Sequence, residues 1–334
     1  MTESEWEDAQ SKPSDADCSA MRSLQGDVLV LGAGGKMGPS LARLARRASD
    51  AAGSPRRILA ASRFPDENLK RQMASQKIEA ISCDLLDREQ LALLPDCPNV
   101  LFLAGRKFGS TGNLALTWAT NVVLPAMAAE RFRGSRIVAL SSGNVYALSA
   151  DPATEQTTPA PVGEYAQSVL ARERVLEYFS VRDQTPVALL RLNYANDLRY
   201  GVLLDIGQRV WHRQAMPLAT GWVNVIWQRD ANSIVLRSLA LAESPPLVLN
   251  VTGPERLSVR WIATRFGEIF GIEPRFEGVE AETALLSDAS LCCKLLGTPS
   301  VGPEEMIAMT ADWIRAGGAT LDKPTRFEVR DGAF

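Results

Sequence analysis

The stretch VLVLGAGGKMGPSLARLARR, from Val28 to Arg47, constrains the fold more than any other part of the chain. An apolar run passes directly into three glycines at three-residue spacing, Gly32, Gly35 and Gly38, and then into a segment with helical periodicity. Gly32 permits a tight turn, Gly35 lets backbone amides approach a pyrophosphate, and Gly38 lets helix and strand pack closely. The helix brings further amide donors and the positive end of its dipole to the same phosphates. Lys36 and Met37, inside the loop, join the expected cofactor contacts. A strand, a glycine loop and a helix in this order form one unit of a doubly wound parallel sheet.

The rest of the chain keeps that rhythm. DVLVLG, RILAAS, IEAIS, NVLFLA, RIVALSS and VALLR are candidate strands, and helical segments begin near Lys36, Arg88, Leu114 and Glu164. The expected class is α/β, a doubly wound, Rossmann-like parallel sheet with a smaller C-terminal substrate lobe. Residues 26–193 form the dinucleotide-binding domain, and residues 194–334 the smaller lobe, partly interleaved with the sheet. That lobe takes in WVNVIW, PLVLNV and helices near Val259 and Pro303, and the C-terminal stretch reads as a surface-wrapping tail. Residues 1–25 are polar and acidic and read as a disordered tail.

Composition excludes several classes of function. The 334 residues carry a net charge of −3 with no basic run, so no nucleic-acid partner is expected. No stretch approaches the ~20 apolar residues of a membrane span, and the N-terminus lacks a signal-peptide core. Five cysteines without ligand spacing, and His212 as the one histidine, argue against a metal site. Reduced thiols suit a cytoplasmic location, and adjacent Cys292 and Cys293 read as packing residues rather than a redox pair. The expected partner is a small molecule, and a homodimer is compatible with this reading.

The second strand ends in AASRF, with no carboxylate to hold an adenosine ribose diol. Ser62 and Arg63 stand there instead, and an arginine pairs well with a 2′-phosphate. NADP is therefore the expected cofactor and NAD the alternative.

Further stretches make the chain similar to the extended short-chain dehydrogenase/reductases, the NAD-dependent epimerase/dehydratase family, from about Asp27 to Trp313. CDLLD places Asp84 and Leu85 where that family contacts adenine, and FLAG places Leu103, Ala104 and Gly105 under the cofactor. TNVVLPAMAA supplies Asn121 of the family's helix motif. ALSSGNVYA matches the strand carrying the catalytic serine, here Ser142, and EYAQSV matches the Tyr-x-x-Ser-Lys box up to its last residue.

The resemblance implies that Tyr165 is the general acid or base beside the cofactor and that Ser142 hydrogen-bonds the substrate oxygen. It also implies a lysine that lowers the phenol pKa and holds the nicotinamide ribose, but Val169 occupies that position. An unperturbed phenol titrates near 10, leaving roughly one tyrosinate in a thousand at neutrality. Tyr165 is therefore better suited to protonating a carbonyl than to deprotonating an alcohol. Arg172 shares its helical face, two turns and about 10 Å on, and reads as a doubtful substitute for the lysine.

Other departures bear on the substrate. Gly143 and Asn144 replace the Asp-Glu pair of nucleotide-sugar 4,6-dehydratases, so that dehydration is not expected. The arginine that grips a sugar-nucleotide diphosphate is missing, so the expected substrate carries no nucleotide handle. Asp230 reads as an N-cap. Asn144, Asn193, Tyr194 and His212 are the substrate-side candidates, the last being either a proton carrier or a solvated helix end. Two functions compete: an NAD(P)-dependent oxidoreductase or epimerase for a small sugar-like or sugar-acid-like substrate, and a nucleotide-binding sensor or assembly subunit without turnover.

Overall fold

The computed structural model describes residues 3–107, 109, 112–323 and 325–333. Seven parallel strands form the central sheet: β1 (Val28–Leu31), β2 (Ile58–Ser62), β3 (Glu79–Ser82), β4 (Asn99–Phe102), β5 (Arg136–Ser142), β6 (Val187–Leu192) and β7 (Leu247–Val251). Their spatial order is β7, β6, β5, β4, β1, β2, β3, with the reversal between β1 and β4. Alternate residues serve two different cores: Val28 and Val30 join one, Leu29 and Leu31 the other. Because both faces are buried, these strands read as continuous apolar runs. The six strands expected from the sequence form β1–β6. PLVLNV, expected in a smaller lobe partly interleaved with the sheet, supplies β7, its unbroken apolar run pairing with β6 from Leu247 opposite Ala188 to Val251 opposite Leu192.

The helices Gly38–Ala51 and Gln228–Arg237 cover one face, and Leu124–Arg131 and Gly163–Asp183 the other. The smaller lobe has its own core between the helices Val202–Trp211, Val259–Phe270 and Pro303–Arg315. WVNVIW contributes two short strands, Trp222–Val223 against Leu257–Ser258 and Ile226–Trp227 against Ala195–Asn196.

The N-terminal segment corrects the sequence reading. It is not a disordered tail: Glu3–Gln10 and Asp15–Ser23 are helices, the second closed by a capping box between Ser14 and Asp17. Trp6 enters the smaller lobe's core, Met21 enters the sheet core, and buried Asp17 pairs with Arg229 and Arg237. Each large apolar side chain contributes about 2 kcal/mol on burial. Two such anchors and a satisfied carboxylate hold a segment whose composition alone is that of a solvated tail. Asp230 is likewise no N-cap. It lies inside the first turn of its helix and accepts from the Ser300 and Val301 amides and the Ser300 hydroxyl.

Candidate functional site

A cavity of about 970 Å³ opens at the carboxyl ends of β1, β4, β5 and β6. This is where open parallel sheets bind ligands, and the volume suits a dinucleotide with a small substrate beside it. The glycine loop forms one wall. Gly32 has φ +84°, and a Cβ there would lie 2.6 Å from the Ala104 amide nitrogen, so the residue is fixed by both conformation and space. A Cβ on Gly38 would lie 2.4 Å from the Ala33 carbonyl oxygen, so only glycine lets the helix start this close to the strand end. At Gly35 the nearest obstacle is the Gly32 carbonyl oxygen at 3.3 Å, leaving the backbone open to the cavity it lines. A backbone cradle at a helix N-terminus fits a dinucleotide's pyrophosphate.

Side chains from distant segments build the opposite wall, and Lys36 of the glycine loop reaches across to it. The Lys36 ammonium donates to the Ala195 carbonyl at 2.7 Å, lies 4.0 Å from Asp197 and sits 4.1 Å from the centre of the Tyr200 ring. Lys107 faces the Tyr165 ring at 6.0 Å. Burial lowers the pKa of each lysine to about 8. The Tyr194 and Tyr200 phenols are pushed well up, mainly by burial. Asp205, held by the Thr325 amide and hydroxyl, is also pushed up by burial.

Between these walls stand Ser142 and Tyr165. The Ser142 hydroxyl donates to Asn144 Oδ1 at 2.9 Å and accepts from the Asn144 amide at 3.2 Å. Burial raises the Tyr165 pKa against the opposing influences of Arg172 and of the neighbouring Ser142 hydroxyl, so the phenol is neutral near pH 7. Val169 is buried with Val145, Tyr146, Ala153 and Leu285, an apolar surrounding for the position where the resemblance would put a lysine.

Of the residues expected from the sequence, Gly32, Gly35, Lys36, Met37 and Gly38 line the cavity. So do Leu103, Gly105, Ser142, Asn144, Tyr165, Asn193 and Tyr194. Ser62, Arg63, Asp84, Leu85 and Ala104 lie outside its wall. Ser62 backs onto Gly34, Leu85 belongs to a core, and Arg63 is exposed. Asn121 is fully buried behind the wall. It accepts from the Arg106 amide and Arg172, and donates to the Arg106 carbonyl and Ser168. His212 is not brought to the site. The helix Val202–Trp211 turns its apolar face inward, and His212 falls just past its end, exposed.

Several cavity residues escaped the sequence reading. Arg172, a doubtful substitute for the lysine by its place on the helix, lines the cavity. Lys107, Arg199 and Tyr200 also line it, and Glu7 of the N-terminal helix reaches its rim, bonded to Arg43 and Gln72. No local motif announces these residues, because they come from four separate segments. No helix among the described residues is long and apolar enough to cross a membrane, and no metal-binding cluster occurs among them.

Solved structures share the fold at low sequence identity. UDP-glucuronic acid 4-epimerase from Bacillus cereus, in complex with UDP-glucuronic acid and NAD, superposes with a TM-score of 0.72 at 18% identity, covering 87% of this chain and 99% of that one. UDP-glucose 4-epimerase from Thermotoga maritima gives 0.69 at 18% identity, covering 87% and 99%. dTDP-glucose 4,6-dehydratase from Bacillus anthracis, in complex with NAD, gives 0.72 at 15% identity, covering 87% and 97%. No curated protein matches the chain. Residues 28–195, half of the chain, match the profile of one family, and they contain the glycine loop, Ser142 and Tyr165. The chain belongs to the NAD dependent epimerase/dehydratase family.

Proposed function

We propose that this enzyme is an NAD(P)-dependent oxidoreductase or epimerase acting on a small polyhydroxylated substrate of sugar-acid type. One observation carries the reading: Ser142 and Tyr165 line the same cavity as the glycine cradle. When bound, the nicotinamide supplies hydride transfer. Ser142 orients the reacting oxygen, and neutral Tyr165 protonates it as a carbonyl is reduced.

Charge on the wall supports an anionic substrate. Lys36, Arg43, Arg106, Lys107, Arg172, Arg199 and Lys323 line the cavity against only Glu7 and Asp66, although the chain's net charge is negative. A pyrophosphate would use part of this positive field, and a substrate carboxylate the rest. The structural neighbours named for nucleotide sugars supply the class to be compared.

The dinucleotide is proposed to be NADP. Arg63 makes no hydrogen bond or ion pair with any described residue, which leaves it available for a 2′-phosphate at the end of β2.

The test is a paired screen with NAD(P)+ and NAD(P)H against sugar acids, neutral sugars and nucleotide sugars. Nicotinamide absorbance would report net oxidation or reduction, and proton NMR would report epimerisation. Turnover of sugar acids alone supports the reading. Turnover of nucleotide sugars alone overturns the substrate class, and tight dinucleotide binding without turnover of any substrate would favour the sensor.

A further inference from the structure

We propose that Arg172 is the positioning cation of this active site, donating through its guanidinium to a hydroxyl oxygen of the dinucleotide beside Tyr165. The inference rests on the dinucleotide reading above and names the residue that fixes the ligand next to the acid.

Arg172 lies seven residues beyond Tyr165 on the helix Gly163–Asp183. Helical side chains slant toward the N-terminus, so a long side chain at this spacing returns toward the first residue's turn. Here it does so. Its Nη1 donates to the Leu140 carbonyl at 2.7 Å, Nη2 to Asn121 Oδ1 at 2.7 Å, and Nε to the Asn121 carbonyl at 3.4 Å. A guanidinium has five N–H groups. These three bonds leave one N–H on each terminal nitrogen without an acceptor among the described residues, in a side chain that lines the cavity.

Two details show that the surroundings are shaped around this cation. A Cβ on Gly105 would lie 2.8 Å from Nη2, so glycine at that position makes room for the guanidinium. Asn121 joins it to the acid's own helix: it donates to the Ser168 hydroxyl at 2.9 Å, and Ser168 donates to the Tyr165 carbonyl at 2.7 Å. The residue is 5% exposed. A buried charge of this kind normally has a partner that neutralises it, yet the Leu140 and Asn121 acceptors of Arg172 are neutral, and the adjacent Glu173 is committed to Arg191 at 2.7 Å. The unused donors leave Arg172 able to bond a polar ligand in the cavity it lines.

Arg172 also acts on the phenol, lowering its pKa against burial. The other groups facing Tyr165 are Lys107, Ser142 and Tyr200. Removing Arg172 therefore has two separate readouts.

The experiment compares wild type, Arg172→Met, Arg172→Lys and Gly105→Ala, each checked for folding by circular dichroism. Dinucleotide binding is measured by fluorescence titration. The Tyr165 phenol is titrated by tyrosinate absorbance in the ligand-free protein, by difference from Tyr165→Phe. Loss of one charged hydrogen bond predicts about tenfold to a hundredfold weaker dinucleotide binding in Arg172→Met. The same variant should raise the phenol pKa further, because the cation that opposes burial is gone. Arg172→Lys should recover part of both effects. Gly105→Ala, which keeps the charge but displaces it, should weaken binding and leave most of the phenol shift intact. A folded Arg172→Met or Gly105→Ala protein that binds the dinucleotide with wild-type affinity overturns the proposal. Failure of wild type to bind either dinucleotide would instead overturn the reading on which it rests.

Discussion

The two walls of the cavity are made differently. The glycine-loop wall is backbone, contiguous in sequence, and fixed by steric contacts such as Gly38 against Ala33 and Gly32 against Ala104. The opposite wall is side chain, gathered from positions as distant as Lys107, Tyr165, Tyr194, Arg199 and Thr325, and governed by burial and charge. The first wall is what a shared dinucleotide requires. The second decides what the enzyme does with it, and it is where this chain parts from the pattern it resembles.

The largest expected effect lies on the side-chain wall. Tyr165→Phe should lower carbonyl reduction by about 10²- to 10⁴-fold while leaving dinucleotide affinity near wild type. Because burial holds the phenol above its ordinary value, reduction should persist through mildly alkaline pH and fade only as the pH passes that raised pKa. Alcohol oxidation, which needs the anion, should gain over the same interval. Steady-state rates measured in both directions across pH check this, and equal reduction by the Phe variant would remove Tyr165 from the chemistry.

Val169→Lys comes next. An ammonium placed among Val145, Tyr146, Ala153 and Leu285 should cost roughly 3 kcal/mol or more, seen as a lowered melting temperature with no gain in hydride transfer. A variant that melts like wild type and turns over faster would show instead that the site merely lacks its lysine and that Arg172 has no part in replacing it.

How much of each wall was legible in the sequence follows the same division. The sheet and cradle were readable because their signals are local: short unbroken apolar runs, glycine spacing, and the passage from strand to helix. The N-terminal helices were hidden because their anchors, Trp6 and Met21, are single apolar residues in an acidic segment, and the recesses that receive them belong to other parts of the chain. Arg172 was discounted by counting rise along the helix axis, whereas the backward slant of the side chain and the space at Gly105 decide its reach. His212 failed for the converse reason, since chemical aptitude says nothing about which side of a helix end faces the cavity.

On the backbone wall, the sharpest prediction is Gly38→Ala. A methyl group 2.4 Å from the Ala33 carbonyl oxygen meets the Ala33 backbone, which cannot rotate away as a side chain would. Overpacking of this kind should cost about 2 kcal/mol and widen the cradle. Chemical denaturation and dinucleotide titration should therefore deteriorate together, unlike Tyr165→Phe, which should separate binding from turnover. Unchanged stability in the alanine variant would mean that this wall is softer than its contacts indicate.

The smallest effect should come from Arg63, which belongs to neither wall. It is exposed at the end of β2, so its pairing with a 2′-phosphate would be screened by solvent and salt in a way the buried contacts are not. Removing it should weaken NADP binding by no more than about tenfold, near 1 kcal/mol, and leave NAD binding unchanged. The difference between the two dinucleotides should also shrink as ionic strength rises, because only one of them carries the extra phosphate. Titration of both against wild type and Arg63→Ala at low and high salt separates the outcomes. If NAD binds wild type as tightly as NADP and the substitution moves neither, cofactor choice is set elsewhere. Glu7 would then be the next residue to change, since its carboxylate stands on the cavity wall where Arg63 does not.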